Sequence, residues 1–354
     1  MKRIVLTGGG TAGHVTPNIA LLPELKKSGY EIYYIGTRNG MEKALIEKEG
    51  ISYYGISAGK LRRYLDAKNL TDTFKIIKGF NEAMKVLKRV KPDIVFSKGG
   101  FVSSPVVWAA KAKGIPVVIH ESDMTPGLAN KLSLPFAQKI CYTFPETGKY
   151  IVQEKGVFTG LPVRTGLLKG NAERGRRLCG FMDLKPVVVV IGGSQGSVHV
   201  NKVVREALKD ITARFNLCHI CGKGNLDEKL VGAAGYMQFE YVSDELCNIF
   251  AMADVVISRA GATTIFELLA LRKPNLLIPL SASASRGDQI LNSRSFEKQG
   301  FSRVLEEEKL TAESLKQNIA YVYDNRAAYI KAMEASDAGN GLERVLKVIK
   351  ENTR

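Results

Sequence analysis

The run Asp254-Val255-Val256-Ile257-Ser258-Arg259 leads into Ala260-Gly261-Ala262-Thr263-Thr264-Ile265-Phe266-Glu267, and an apolar-periodic helix then continues to about Leu271. The first run reads as a buried parallel strand. A helix that opens on a glycine turn leaves its first amide N–H groups without helical partners, and threonine hydroxyls add donors, so the turn is an anion site. Glu267, one turn further on, presents a carboxylate suited to accept from a ribose hydroxyl. With Gly287-Asp288-Gln289 following, the pattern describes a place for nucleotide phosphates with a sugar contact beside it.

Other chemistry-bearing residues stand where strands end. Residues 3–7 read as a short strand, followed by Gly8-Gly9-Gly10-Thr11-Ala12-Gly13-His14 and a helix that Pro17 is expected to open. The glycines fit G-x-G-x-x-G, but a dinucleotide site also calls for an acidic residue closing the second strand. Gly36-Thr37-Arg38 stands there instead, and Arg38 keeps only an NADP reading open. The glycines alone describe any tight strand-to-helix turn. His14, in the mouth of that turn, points to a ligand. The strand 116–120 ends in His120, followed by Glu121-Ser122-Asp123, either site residues at a strand C-terminus or turn residues before the Pro126 helix.

The elements that must hold these groups alternate along the chain. Strands are expected at 31–35, 52–56 and 93–97, and helices at 70–90 and 104–113. The pattern breaks at Thr159-Gly160-Leu161-Pro162-Val163-Arg164. Strand 186–191 and Gly192-Gly193-Ser194-Gln195-Gly196-Ser197 then repeat the opening of the chain, and further strands follow near 215–220, 237–241, 254–258 and 275–278. The expectation is α/β: two Rossmann-like domains facing across a cleft, 1–162 and 163–340, with the last helix, 341–354, returning to the first domain.

The 354 residues carry a formal charge of +16, which suits anionic partners. Residues 60–91 hold ten Lys/Arg against three acids, a net +7, interleaved with apolar groups. Leu70, Phe74, Ile77, Met84 and Leu87 share a helical face expected in the core, while Ile76 and Phe80 fall to the side and Leu61, Tyr64 and Leu65 lie in a loop. A basic rim around spare apolar groups suits contact with an anionic membrane surface; a solvated lysine face is the plainer alternative. No recognisable nucleic-acid motif accompanies the charge, and no run of about 18 apolar residues spans a bilayer. No signal peptide is expected at the start. Five scattered cysteines suggest reduced thiols in a cytosolic compartment, and Cys218-His219-Ile220-Cys221, without a second pair, reads as core rather than as a zinc or redox half-site.

Six short motifs in register make the chain resemble the MurG family. They are Gly9-Gly10-Thr11-Ala12-Gly13-His14, Lys98-Gly99-Gly100, His120-Glu121, Thr159-Gly160-Leu161-Pro162-Val163-Arg164, Gly192-Gly193-Ser194-Gln195-Gly196 and Arg259-Ala260-Gly261-Ala262-Thr263-Thr264. The resemblance runs from residue 1 to about 300. It implies the GT-B glycosyltransferase fold, a peripheral place on the cytoplasmic face of the cell membrane, and a part in peptidoglycan synthesis and hence cell shape and division. It implies UDP-N-acetylglucosamine as donor and lipid I, the undecaprenyl-linked muramoyl-pentapeptide, as acceptor. Thr11, Ala12 and Gly13 match the family's first glycine loop near donor sugar and acceptor diphosphate. Arg164 and Ser194 match donor-binding positions, and Val242 a position whose backbone meets the uracil. Ala262, Thr263 and Thr264 match the loop facing the diphosphate, Glu267 the ribose contact and Gln289 a sugar contact. His14 matches the histidine often proposed as base. The chain departs from the family at Ala12, usually glycine, and at Ser122-Asp123, usually Gln-Asn; Asp123 offers no amide N–H.

The implied reaction is inverting transfer to the C4 hydroxyl of the acceptor. Arg164, Ser194 and the amides near residue 262 would stabilise the departing UDP. Those donors could make a metal dispensable, no carboxylate cluster for one is evident, and no cofactor is expected. An unperturbed histidine suits a base near neutral pH, so His14 is the first candidate and Glu121 and Asp123 the next. Another lipid acceptor such as diacylglycerol, or a non-catalytic nucleotide-sugar-binding subunit, remain the alternatives.

Overall fold

A computed structural model describes residues 1–59, 68–192, 196–282 and 287–354, with Ala12 and residues 68–71 described by backbone alone. Two compact units result, Met1–Arg164 with Ala338–Arg354, and Thr165–Asp337.

The first unit carries Lys2–Thr7 (β1), Tyr30–Thr37 (β2), Ser52–Ile56 (β3), Ile94–Ser97 (β4), Val117–Glu121 (β5), Lys139–Tyr142 (β6) and Gly156–Phe158 (β7). They form a sheet in the order β3-β2-β1-β4-β5-β6-β7, every described pairing parallel. Parallel pairing demands a crossover between neighbours and covers both sheet faces, which is why β4 (Ile-Val-Phe-Ser) is apolar almost throughout. Ile4, Leu6, Phe96 and Val118 pack to one face, and Val5, Ile35, Val95 and Ile119 to the other. The final helix, Gly341–Asn352, adds Val345, Leu346, Val348 and Ile349 to the first of these clusters. Beyond it the Tyr30 hydroxyl lies 2.8 Å from Thr353 Oγ1.

The second unit repeats the plan. Val187–Ile191 (β8), Asn216–Ile220 (β9), Tyr236–Phe239 (β10), Val255–Ser258 (β11), Asn275–Leu277 (β12) and Arg303–Val304 (β13) pair in the order β10-β9-β8-β11-β12-β13. The described pairings are again parallel. In both sheets the winding reverses beside the first strand, between β1 and β4 and between β8 and β11. Open α/β sheets place ligands at the strand C-termini around such a reversal.

Two expectations need correction. The first helix is Ala12–Lys27, so it opens five residues before Pro17, which lies inside it with Pro23. Thr11, extended at φ −147°, ψ 155°, is the N-cap. Pro17 has no N–H for the Gly13 carbonyl, yet the helix holds because Val15, Leu21, Leu22 and Leu25 are buried on one face. The second correction concerns the basic helix Lys68–Val90. Phe74 and Ile77 are 69% and 55% exposed, whereas Ile76 is buried, as are Ala83, Leu87 and Val90 of the cluster that Phe80 packs against. The inward stripe therefore runs 76, 80, 83, 87, 90 at i, i+4, i+7 spacing, and Met84 flanks it. Phe74 and Ile77 fall on the opposite side with Lys78, Lys85 and Lys88. Leu61, Tyr64 and Leu65 lie outside the described residues, as does the side chain of Leu70.

The cysteines are free, and all but Cys247 are buried. His219, between Cys218 and Cys221, is fully buried. Its Nδ1 lies 2.9 Å from the Tyr236 hydroxyl and its Nε2 2.9 Å from Asn201 Oδ1, so both ring nitrogens serve the core.

Candidate active site

In the first unit the candidate residues gather where β1, β4 and β5, neighbours in the sheet, end. The loop after β1 turns at Gly10, whose φ of +87° is adopted with little strain only by glycine. It interlocks with the loop after β4: a Cβ on Gly100 would stand 2.2 Å from the Gly9 carbonyl oxygen. The loop's polar side faces Glu42, which is fully buried. The Glu42 carboxylate accepts from Thr37 N at 2.9 Å, from Thr37 Oγ1 at 2.5 Å and, more loosely, from Gly10 N at 3.4 Å. A dinucleotide loop needs such an amide for pyrophosphate, and here a protein carboxylate already engages it. Arg38, which had kept an NADP reading open, is paired with Glu82 at 2.5 Å.

Thr11 is exposed and His14 partly so. Thr11 Oγ1 lies 2.9 Å from His14 Nδ1, and His14 N donates to the Thr11 carbonyl at 3.1 Å. When Nδ1–H donates to Thr11, the basic ring nitrogen is Nε2. Ala12 and Gly13 form the first helical residues between the two.

The strand-end cluster at residues 120–123 divides into three environments. His120 is fully buried, with Nε2 2.9 Å from the Gly160 carbonyl. Burial, and then the Lys98 charge, hold its pKa well below the usual 6.5, so the ring is neutral and Nε2–H donates. Glu121 is 4% exposed and already bonded: Asp123 N at 2.9 Å, Gly127 N at 3.1 Å and Asn130 Nδ2 at 2.8 Å donate to its carboxylate. Burial, followed by the Asp123 charge, pushes its pKa up, against the pull of these bonds and of Lys98. Glu121 thus braces the turn and the start of the helix Leu128–Ser133. Asp123, by contrast, is partly exposed. Sequence reasoning left out Lys98 and Asn130. Lys98 was legible only as part of a Lys-Gly-Gly motif, since nothing local says that a lysine is 1% exposed.

In the second unit the helix Ala262–Ala270 starts at Gly261 (φ −70°, ψ 134°) with no side-chain cap. Nothing lies within 4 Å of the position a Gly261 Cβ would take. Ala262, Thr263 and Thr264 form its first turn, and Glu267, 5% exposed, sits one turn on. The preceding Arg259 ties three strand-end loops together. Its guanidinium donates to the carbonyls of Ile278 and Pro279 at 3.1 and 3.3 Å, to Ser197 Oγ at 2.6 Å and to Glu307 at 2.5 Å. Burial alone would raise the Glu307 pKa; the Arg259 bond and charge, with the Ser281 amide, outweigh it and hold the carboxyl low. Gln289 secures the same loop as Arg259, its Oε1 accepting from Leu280 N at 3.1 Å. Ser197 caps the helix Val198–Glu206 through Val200 N.

Val242 follows β10 and packs against the apolar cluster of Cys218, Ile220 and Leu246, separated from β11 by β9 and β8 in the sheet. Arg164, partly exposed, closes the first unit. Ser194 lies outside the described residues. Of the strut of these loops, Arg259 entered the sequence reading only inside a quoted motif, and Glu307, 48 residues away, carries no local signal. Among the described residues no group of three His, Cys, Asp or Glu stands close enough to hold a metal ion, and no helix is long and apolar enough to cross a membrane.

Residues 4–142 match the glycosyltransferase family 28 N-terminal domain, and residues 187–349 match its C-terminal domain. A "UDP-N-acetylglucosamine--N-acetylmuramyl-(pentapeptide) pyrophosphoryl-undecaprenol N-acetylglucosamine transferase" of Clostridium botulinum (strain Langeland) is 58% identical over 354 residues, the whole of both chains. The protein of the same description from Clostridium tetani is 57% identical over 350 residues, 99% of this chain and 98% of the relative. Among solved structures, Acinetobacter baumannii MurG superposes with a TM-score of 0.77 at 26% identity over 99% of this chain and 100% of that one. The calicheamicin glycosyltransferase CalG4, at 14% identity and a TM-score of 0.72, shares the fold. Two Rossmann-like units, matches to both family 28 domains, and 57–58% identity to those transferases over nearly the whole chain place it in the MurG family of GT-B glycosyltransferases.

Proposed function

We propose that this chain transfers N-acetylglucosamine from UDP-N-acetylglucosamine to the C4 hydroxyl of undecaprenyl-diphospho-N-acetylmuramoyl-pentapeptide, with inversion, in peptidoglycan synthesis. The observation that carries this reading is the 57–58% identity over essentially the full chain to transferases of that description. The site geometry supports how the reaction runs. The uncapped helix start at Ala262–Thr264 offers amide donors to the diphosphate, where negative charge grows as UDP departs. Arg164 and Ser194 add donors, Glu267 accepts from the ribose, the backbone at Val242 meets the uracil, and Gln289 meets the sugar from the loop it secures. His14, held by Thr11, takes the acceptor proton. Asp123, partly exposed on a turn that Glu121 braces, is the second choice. Thr11, Ala12 and Gly13 line the acceptor diphosphate.

The enzyme works on the anionic cytoplasmic leaflet as a peripheral protein. The exposed face of the helix Lys68–Val90 carries Phe74 and Ile77 among lysines, the pairing of apolar insertion and basic attraction that binds such a surface reversibly. The test is UDP release with lipid I across a panel of UDP-sugars, for wild type and His14→Ala. Release is expected with UDP-N-acetylglucosamine, and a kcat loss of about 10²–10⁴-fold in the variant with donor affinity kept. Release with diacylglycerol but not lipid I would overturn the acceptor, and a kcat within about threefold of wild type would remove His14 as base.

A further inference from the structure

The first unit buries a lysine at the very edge where its candidate residues gather. Lys98 follows the last residue of β4 and is 1% exposed. Its stem lies beneath the first glycine loop: a Cβ on Gly8 would stand 3.2 Å from Lys98 Cβ. Its ammonium donates to Ser122 Oγ, in the turn that leads to Asp123. The main chain of Lys98 is fixed as well, its N–H donating to the Thr7 carbonyl at 2.8 Å. One side chain thus joins the ends of β1, β4 and β5. A buried ammonium is costly to keep without a reason. A lysine whose only task was to fill this space could be a methionine.

We propose that Lys98 is a positioning residue of the acceptor site, its ammonium holding the Ser122–Asp123 turn in register with the loop that carries Thr11 and His14. This rests on the reading that the acceptor binds at this edge. The charged and titratable groups that face the ammonium among the described residues are Glu121 and Asp123 from the end of β5 and Cys141 from β6. His120, on β5, also feels its charge and is neutral. Burial pushes the Cys141 thiol up to about 12, so it too is neutral near pH 8. The ammonium therefore stands against two carboxylates, Glu121 and Asp123. Burial lowers the Lys98 pKa to about 8, with Glu121 and then Asp123 pulling the other way. As pH rises through that value the cation is lost, the bond to Ser122 loses its charge, and the two carboxylates are left facing one another.

The reading gives the acceptor reaction an alkaline limb that belongs to Lys98. The experiment measures kcat/KM for the lipid-linked acceptor from pH 6 to 10 at saturating UDP-N-acetylglucosamine, for wild type, Lys98→Met, Lys98→Arg and Ser122→Ala. Calorimetric UDP affinity checks the donor site, and circular dichroism with the thermal midpoint checks folding. In wild type kcat/KM is expected to fall about tenfold per pH unit above roughly pH 8. Lys98→Met should be low at pH 7, by tenfold or more, and flat above pH 8, with UDP affinity unchanged. Lys98→Arg, charged to beyond pH 12, should lose the limb while keeping more activity than Lys98→Met. Ser122→Ala should keep the limb at a reduced plateau. A wild-type profile flat to pH 10, or a limb that survives in Lys98→Met, overturns the proposal. If Lys98→Met does not fold, a limb unchanged in Lys98→Arg overturns it instead. Failure of the acceptor-edge reading is distinct: acceptor kcat/KM at pH 7 would then match wild type in His14→Ala as well as in Lys98→Met.

Discussion

At Glu267 two local rules oppose each other. Glutamate is a good helix former, but a carboxylate that is 5% exposed inside a nine-residue helix is costly unless it is bonded. A ligand hydroxyl that approaches from the helix start meets that carboxylate one turn beyond the free amides, which suits a nucleoside diphosphate with its ribose. Glu267→Ala is therefore expected to weaken UDP-N-acetylglucosamine binding by roughly 1.5–3 kcal/mol, the range for a hydrogen bond to a charged group. Calorimetry on the folded variant checks it, and an unchanged affinity would remove Glu267 from the donor site. Glu121, the same residue type at a strand end, accepts from Asp123 N, Gly127 N and Asn130 and so braces its own turn. Type and spacing favour both carboxylates alike; only their neighbours separate a brace from a candidate contact.

Among elements, the helix Lys68–Val90 divides its apolar residues between two tasks. Ile76 is buried, as are Ala83 and Leu87 of the core cluster, whereas Phe74 and Ile77 face outward among Lys78, Lys85 and Lys88. The two groups predict opposite phenotypes. Phe74→Ser with Ile77→Ser should release the protein from anionic vesicles in co-sedimentation while changing the thermal midpoint little, since neither side chain is buried. Ile76→Ser should cost about 2–5 kcal/mol, as deletion of a buried aliphatic does, and leave any folded fraction bound. If the outward pair binds vesicles like wild type, the contact is electrostatic alone. If Ile76→Ser is as stable as wild type, the inward stripe has been misassigned.

On the scale of the whole molecule, each unit holds one fully buried neutral histidine, His120 in the first and His219 in the second. Burial, with Lys98 adding at His120 and Arg205 at His219, holds both below their ordinary pKa, His219 at about 3. Below about pH 6.5 an unfolded histidine takes up a proton that the folded one refuses. Stability is therefore highest above that value and falls with acid, at up to about 1.4 kcal/mol per pH unit for each histidine; for His219 the fall continues to about pH 3. Denaturant midpoints at pH 7 and pH 5 should show this drop in wild type and a smaller one in His219→Gln. An equal drop in both would mean that His219 is not the linked group. The total charge of +16 acts at this scale too, as a long-range attraction to anionic surfaces that salt weakens.

Sequence alone determined what repeats within one element. Apolar runs such as Val187–Ile191 announce buried parallel strands because both faces of such a strand are covered. Glycine turns after strands announce a close backbone approach because only glycine allows it, as where Gly100 meets Gly9. Alternation of the two gave the α/β class, and six motifs in order gave the family. What the sequence left open depended on residues that arrive from elsewhere in the chain. Pro17 looks like a helix start, yet the helix already runs from Ala12, and Val15, ahead of the proline, is buried against the first sheet. Phe74 and Ile77 fit an apolar stripe as well as Ile76 and Phe80 do, and the choice between stripes was made by where β3 and the helix Ser103–Ala112 lie. Lys98 reads as one more surface lysine until Ser122, 24 residues on, closes over it. Helical and strand periods are short-range and survive in one dimension; burial is decided by partners whose separation along the chain carries no signal, so only the tertiary structure could settle it.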